Sequence, residues 1–354
     1  MKPIDLPDSR PSPSRRSVAV VASLAACLLV SIALAMRDCM NEHDRPGGHG
    51  DISFVVSPRG DKIVFNAVGE GGQDLYRLDL GTLRVTRIAV TPDYEVGPDI
   101  SPDDKLVVYA AGKPGDRADH IFVRPLDGEG VKQLTAEDVN DADPAFSPDG
   151  SLIVFTRDKT YNWGGLASNW DAGGVICVMN ADGTGLRQIT GDGSIAVAPR
   201  FSPNGQTILF WSEDGLYTVA TDGSRPPSPL SLDGRDAVYS PDGRSIAFSM
   251  GQYAPDLRIY VARTDGTELR RLLHPAEGRV APPGGGCSRP AFTPDGKRIL
   301  FFLEAWPDDA TGHAKESLWE MDIEGGHPRE IAGYGLFDDP LHWGPGPAAQ
   351  TGGP

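Results

Sequence analysis

The chain has 354 residues, of which 43 are glycine, 31 are proline and 39% are hydrophobic. This composition is typical of a globular protein with many turns, which favours short strands over long helices. The formal net charge is −16, with 49 acidic against 33 basic side chains. Because such a surface repels phosphate backbones, we expect no nucleic-acid partner.

The four cysteines are far apart and form no CxxC pair, which excludes a zinc site and a dense disulfide framework of the usual spacing. Cys177 lies inside the apolar run Val175–Met179, so we expect a buried, inert thiol. Cys287 follows three glycines, a context that predicts an exposed thiol instead.

The apolar segment Val18–Met36 is preceded by Arg15 and Arg16. Its 19 residues approach the roughly 20 that span a bilayer as a helix, and exceed the roughly 7 to 15 of a signal-peptide core. The length favours an uncleaved anchor. The arginine pair places the N-terminus in the cytoplasm and the body of the protein on the far side of the membrane.

Two alternatives for this segment remain open. The small-residue pattern Ala33–Ala35 is a candidate cleavage site, which would release a secreted protein. The letters LAAC at Leu24–Cys27 resemble a lipobox, although apolar and small residues follow Cys27 where a polar tether is expected. All three readings predict a periplasmic or otherwise extracytoplasmic protein.

One pattern recurs six times: Ser or Thr, then Pro, then a short polar turn and an apolar run such as IVF or ILF. Successive prolines are 38 to 55 residues apart, a period that indicates a propeller, solenoid or array. The six pairs are Ser57–Pro58, Ser101–Pro102, Ser147–Pro148, Ser202–Pro203, Ser240–Pro241 and Thr293–Pro294.

Each repeat contains the pieces of a four-stranded blade. Proline with Asp-Gly or Asn-Gly marks a tight hairpin between strands one and two. An alternating segment such as Leu75–Leu78, Ile121–Arg124, Leu216–Val219 or Ile259–Ala262 predicts strand three. After a second tight turn, such as Asp182–Gly183, a short segment such as Leu186–Ile189 or Leu269–Leu272 predicts strand four.

The absence of a helical segment from the repeats excludes helical solenoids, whereas a radial ring protects the strand edges. We therefore predict an all-β, six-bladed β-propeller of four-stranded antiparallel blades, preceded by one N-terminal hydrophobic helix. Strand one lines the channel and strand four lies outside. The predicted segments are a cytoplasmic tail or signal n-region (1–16), a signal anchor or signal peptide (17–36), a tether (37–50), the propeller (51–343) and a disordered tail (344–354).

Ring closure is left open by the sequence. Asp51–Val56 has the pattern of the first strand of blade one, and Asp338–Trp343 has the pattern of another first strand. The second segment is predicted either to complete or clasp blade one, or to stack as an extra inner strand.

The six registered motifs, from about Asp51 to Trp343, resemble those of the TolB-like propeller family. Its members are commonly six-bladed and periplasmic or surface-exposed, and they often act by binding other proteins. The resemblance therefore implies an envelope protein that binds a partner. The shared motif residues form turns and core, so the resemblance assigns no functional residue.

Both tight turns of a blade open on one side of the ring, so the longer connections share the opposite side, here called the long-loop face. Binding residues usually lie on such loops. The connections of blades three and six carry aromatic and polar residues suited to a protein or a saccharide ligand, unless they fold down as a satellite cluster. These candidates are Tyr161, Trp163, Trp170, Trp306, Asp308, Asp309 and His313.

The residues that begin each inner strand are predicted to ring the channel mouth on this face. Carboxylates there would suit Ca²⁺ or a polar ligand, and carboxylates paired with arginines would instead form a structural salt-bridge ring. No other cofactor is predicted. The candidates are Asp99, Asp143, Arg200, Asp236, Arg289 and Asp339, with Asp141 and Asp338 close by.

The chain contains no GxSxG, HExxH or P-loop motif, and its histidines show no ligand spacing. We therefore predict a monomeric, non-catalytic envelope scaffold that binds a protein or other ligand. The alternative is a carbohydrate-active lyase or hydrolase, metal-dependent or not, whose site lies in the channel. A propeller assembles such a site from several blades without a linear motif.

Overall fold

The computed structural model describes residues 52–69, 72–88, 94–112, 118–158, 174–192, 195–251, 256–272, 275, 285–305 and 315–333. These residues form six four-stranded antiparallel sheets in which the strands follow one another in chain order. The six-bladed, all-β prediction is confirmed. The N-terminal apolar segment and Asp338–Trp343 lie outside the described residues, and the described ranges contain no helix long and apolar enough to cross a bilayer.

Each blade is one continuous stretch of chain, from the inner to the outer strand. The strands are β1 (Phe54–Val56), β2 (Lys62–Gly69), β3 (Gly72–Asp79) and β4 (Arg84–Arg87); β5 (Tyr94–Ile100), β6 (Leu106–Gly112), β7 (His120–Pro125) and β8 (Lys132–Gln133); β9 (Asn140–Phe146), β10 (Leu152–Asp158), β11 (Val175–Asn180) and β12 (Arg187–Gln188); β13 (Val197–Phe201), β14 (Thr207–Ser212), β15 (Gly215–Ala220) and β16 (Ser228–Pro229); β17 (Arg235–Tyr239), β18 (Ser245–Met250), β19 (Arg258–Arg263) and β20 (Arg270–Arg271); β21 (Gly285–Phe292), β22 (Arg298–Ala305), β23 (Lys315–Asp322) and β24 (Arg329–Ala332).

The serine of the repeated motif organises the first hairpin. In blade three the Ser147 hydroxyl donates to Asp149 Oδ1 over 2.6 Å and accepts the Leu152 amide over 2.9 Å. Ser147 is buried, so both bonds satisfy a group that would otherwise be costly inside the protein. Gly150 closes the turn at φ +71°, a conformation that favours glycine.

The hydrophobic core of the described residues lies between blades, as six clusters that each join two neighbours. Phe155 of blade three, for example, packs with Val108 and Ile121 of blade two. A cross-strand pair recurs at the centre of each blade, where the apolar run of strand two faces strand three. These pairs are Phe65–Tyr76, Tyr109–Phe122, Phe155–Cys177, Phe210–Tyr217, Phe248–Tyr260 and Phe301–Trp319.

Blades six and one meet through the same kind of contact as the other neighbours. Ile52 and Phe65 share a cluster with Phe302, and the rings of Phe54 and Phe302 lie 4.8 Å apart, edge to face. The Arg289 guanidinium donates to the Ile52 carbonyl across the same seam. Side-chain packing therefore joins the last blade to the first within the described part of the chain.

The strand predictions are confirmed, with strand four shorter than expected in blades three and five, where two residues of each pair with strand three. Cys177 is buried, as predicted. The expectation that Cys287 is exposed is wrong. Its side chain is 1% exposed because the glycines before it continue into β21, and its amide donates to the Leu257 carbonyl over 2.9 Å.

Candidate functional site in the central channel

A bulge recurs in the inner strands of blades two to six. In each of these blades, the register between strand one and strand two shifts by a residue or more. The shift lies near the position four residues before the Ser or Thr of the repeated motif. A bulge of this kind bends the strand and redirects a side chain. The bulge residues have φ between +50° and +60° and are Gly97, Asp143, Ala198, Asp236 and Arg289.

The bulges place charged side chains around a central cavity of about 150 Å³. All six inner strands contribute to its wall, which also contains small and apolar residues such as Val55 and Val238. The structure therefore brings together five of the six residues that the sequence places at the channel mouth. They are Asp99, Asp143, Arg200, Asp236 and Arg289; Asp339 lies outside the described residues.

Asp99 and Arg200 lie two residues before the motif serines of blades two and four. Asp99 Oδ2 accepts the Phe146 amide of the next blade over 2.7 Å. Burial of its carboxyl raises the pKa of Asp99 to about 6, while Arg200 and the amide bonds work against the rise. The Arg200 guanidinium donates through Nη1 to the Pro199 carbonyl over 2.8 Å.

Asp236 and Arg289 are linked through the hydroxyl of Ser249. That hydroxyl donates to Asp236 Oδ2 over 3.3 Å and accepts the Arg289 amide over 3.1 Å. Asp143 lies against blade two, where a Cβ on Gly97 would be 3.9 Å from Asp143 Oδ1. The hydroxyl of Ser249 thus joins the inner strands of blades five and six at the cavity wall.

Asp141 is not part of the cavity wall, although the sequence suggested a place near the ring. It is 0% exposed and pairs with Arg157 of its own blade, at 2.7 Å from Nε and 2.9 Å from Nη2. Burial raises the pKa of Asp141, and the Arg157 guanidinium opposes the rise. This bidentate pair lies inside blade three, so we assign Asp141 a structural role.

A buried polar cluster beside this pair was missed from sequence. The Tyr94 hydroxyl donates to Asp119, and the Asp119 amide donates to Asn140 Oδ1 of blade three over 2.9 Å. Burial raises the pKa of Asp119 to about 6; the Tyr94 bond opposes this and nearby Asp141 adds to it. The sequence shows only an acidic residue, Asp119, directly before strand three of blade two. Its partners come from two blades, so a local pattern does not reveal the cluster.

The predicted ligand-binding residues of the long connections, Tyr161, Trp163, Trp170, Trp306, Asp308, Asp309 and His313, lie outside the described residues. Their placement stays a prediction. No group of three or more His, Cys, Asp or Glu side chains within the described ranges is arranged to hold a metal ion.

The family model of the TolB beta propeller domain matches residues 47–167, about a third of the chain. The protein TolB homolog of Chlorobium luteolum is 30% identical over 152 residues, 42% of this chain and 32% of that protein. The crystal structure of TolB from Acinetobacter baumannii superposes with a TM-score of 0.55 at 19% identity, covering 80% of this chain and 63% of that one. The chain forms a six-bladed β-propeller that is similar to that of TolB.

This propeller fold is shared with proteins of other names. The uncharacterized peptidase YuxL of Bacillus subtilis is 29% identical over 142 residues, 39% of this chain and 20% of that protein. The oligogalacturonate lyase of Vibrio parahaemolyticus superposes with a TM-score of 0.55 at 17% identity, covering 80% of this chain and 78% of that one. The matched segment spans 20% of YuxL and 32% of the Chlorobium luteolum TolB homolog. The likeness to the solved structures, at under 25% identity, shows the fold alone.

Proposed function

We propose that this propeller is a non-catalytic scaffold of the cell envelope that binds a protein partner through its long-loop face. One observation carries the proposal. The strand bounds leave tight turns between strands one and two and between strands three and four, and they leave the long connections 159–174, 272–284 and 306–314 at the opposite strand ends. Loops over a rigid scaffold are the usual place for binding residues.

The composition of these connections supports a protein partner. Trp163, Trp170 and Trp306 supply large aromatic surfaces of the kind that dominate protein interfaces. The net charge of −16 favours a partner with a basic surface, because complementary charge speeds association. The likeness to TolB in fold and in part of its sequence fits a binding role. We propose that the apolar N-terminal segment exports the propeller across the cytoplasmic membrane, where it would meet an envelope partner.

The test is crosslinking and recovery of partners from native envelopes with the triple variant W163A/W170A/W306A. We expect that variant to lose the partner that the wild type recovers. A matched triple variant, V131A/L186A/L269A, removes three exposed apolar side chains at the start of outer strands, beside the tight turns, and should recover the partner normally. Equal recovery by both variants would refute the assignment to the long-loop face.

Two further measurements separate location and chemistry from binding. Protease added to spheroplasts should digest the propeller if it lies outside the cytoplasmic membrane, and leave it intact if it lies inside. Release of unsaturated sugars from oligogalacturonate by the purified chain would favour the carbohydrate-active alternative over the scaffold.

A further inference from the structure

Two opposite charges on adjacent inner strands face the same cavity. Arg200 belongs to β13 and Asp236 to β17, and both line the channel wall. Among the described residues, neither side chain takes part in an ion pair, so the guanidinium nitrogens and carboxylate oxygens of the two are more than 4.0 Å apart. A guanidinium and a carboxylate in contact would form an ion pair, and the side chains of Arg200 and Asp236 form none with each other.

Both groups keep hydrogen-bonding capacity toward the channel. A guanidinium has five N–H donors, and Arg200 uses one of its nitrogens for the Pro199 carbonyl. Asp236 accepts the Ser249 hydroxyl through Oδ2, and the described residues place no donor on Oδ1. Charged groups in a narrow channel are stabilised by counter-charges, which a ligand with both signs supplies at once.

The backbone holds this arrangement in place. Asp236 adopts φ +55° at the bulge, where Gly97 and Ala198 occupy the equivalent positions of blades two and four. Aspartate is among the few residues with a Cβ that adopt this left-handed conformation regularly. The bulge in β17 therefore holds Asp236 at the cavity wall.

We propose that the channel binds a small dipolar ligand of the α-amino acid or dipeptide class, with its carboxylate on Arg200 and its ammonium group on Asp236. Arg289 and Asp143 add a second charge of each sign to the same wall, and Asp99, which interacts electrostatically with Arg200, adds a third carboxyl group. The volume suits the size, because a cavity of about 150 Å³ also holds benzene, which like alanine has six non-hydrogen atoms. This site lies within the channel and does not depend on the partner surface proposed above.

Titration calorimetry on the full chain in detergent tests the ligand class. L-Alanine and glycylglycine are the dipolar probes, and propionate and ethylammonium each carry one of the two charges. We expect saturable binding of a dipolar probe, with both single-charge probes at least about tenfold weaker. No saturable binding of either dipolar probe up to about 10 mM, or equal binding of a single-charge probe, would overturn the proposal.

Two substitutions replace a channel residue by the residue that occurs at the equivalent position of another blade. R200A introduces the residue of Ala145 in blade three, and D236G that of Gly97 in blade two, so each variant has a native precedent for folding. Each should weaken binding of the dipolar probe by about tenfold or more. The matched controls R244A and E129A alter exposed charges outside the cavity and should bind as the wild type does.

Unchanged affinity in R200A or D236G would overturn the site. The tryptophan triple variant keeps this test separate from the proposed function. It should bind the dipolar probe normally even where it no longer recovers a protein partner. The two proposals can therefore be refuted independently of each other.

Discussion

The Nζ of Lys62 in blade one lies 2.6 Å from Oδ2 of Asp104 in blade two, and both side chains are mostly buried. Asp104 occupies the turn position that is glycine in the other five motifs, and it adopts the same left-handed conformation at φ +65°. Burial lowers the pKa of Lys62, but Asp104 and Asp61 together raise it above its usual range. An ion pair between two blades thus compensates for a strained turn.

Substitution of Asp104 should separate the ion pair from the strain. D104A loses the carboxylate and keeps a Cβ at positive φ, so we expect the free energy of unfolding to fall by about 2 kcal/mol. D104G loses the carboxylate but relieves the strain, so the fall should be about 1 kcal/mol. Urea denaturation of both variants measures the difference, and D104G no more stable than D104A would contradict this account.

The seam between blades six and one should be the tightest of the glycine–proline contacts around the ring. A Cβ on Gly60 would lie 3.1 Å from Pro294 Cδ, whereas a Cβ on Gly205 would lie 3.8 Å from Pro148 Cδ. The two glycines have nearly equal φ, +71° and +69°. G60A should therefore be about 1 kcal/mol less stable than G205A, because only the first forces the blades apart. Equal denaturation midpoints would contradict a tight seam.

Asp119 should make the protein less stable as the pH rises. Its pKa is about 6 in the fold against an ordinary 3.8, so the folded state holds a proton that the unfolded state loses. The resulting penalty is absent below about pH 4 and complete above about pH 6. D119N removes the ionisation, so relative to wild type it should gain up to about 3 kcal/mol in unfolding free energy between pH 4 and pH 7.

The control for that titration is Asp149, whose pKa is lowered, whereas that of Asp119 is raised. Bonds from the Ser147 and Ser151 hydroxyls and the Ser151 amide lower the pKa of this exposed carboxyl to about 2. Its stabilisation is present above about pH 4 and is lost as the pH falls toward 2. D149N should therefore lose stability relative to wild type as the pH rises from 2 to 4, and show no further change up to pH 7. A D119N curve parallel to that of wild type would argue against a raised pKa.

Thiol labelling checks the burial of Cys287. In a C27S/C39S background the remaining thiols are Cys177 and Cys287, both buried. We expect slow labelling of the folded protein by a disulfide reagent and fast labelling of two thiols in denaturant. The single variants C177S and C287S assign each reaction. If Cys287 is labelled as fast in the folded protein as in denaturant, its thiol is not protected by β21, which would contradict its burial.

Features set by neighbouring residues were predictable from the sequence. The fixed φ of Pro148 and the positive φ of Gly150 specify a turn without help from other blades, so the hairpins and the blade number followed directly. The channel wall was predictable for a related reason. Once strand one is inner, register decides which of its residues face the axis, and Asp99 and Arg200 are in that register.

Features set by distant chain segments were not predictable. The five bulge residues share no side-chain chemistry, since glycine, alanine, aspartate and arginine all occur there. The bulge arises where an inner strand pairs with its own second strand while packing between two neighbours. The contact of Tyr94 with Asp119 and the burial of Cys287 likewise depend on packing between blades, which a local pattern does not encode.

The unbroken course of each blade has a consequence for how such a ring tolerates rearrangement. Because β1–β4 come from one stretch of chain, as do the strands of every other described blade, no sheet would lose a strand if the order of the blades in the gene were rotated. A circular permutant that starts at Ser53, Tyr94 or Asn140 would keep all the strand pairings. The same property allows whole blades to be duplicated or lost as modules, so that ring size changes by complete units.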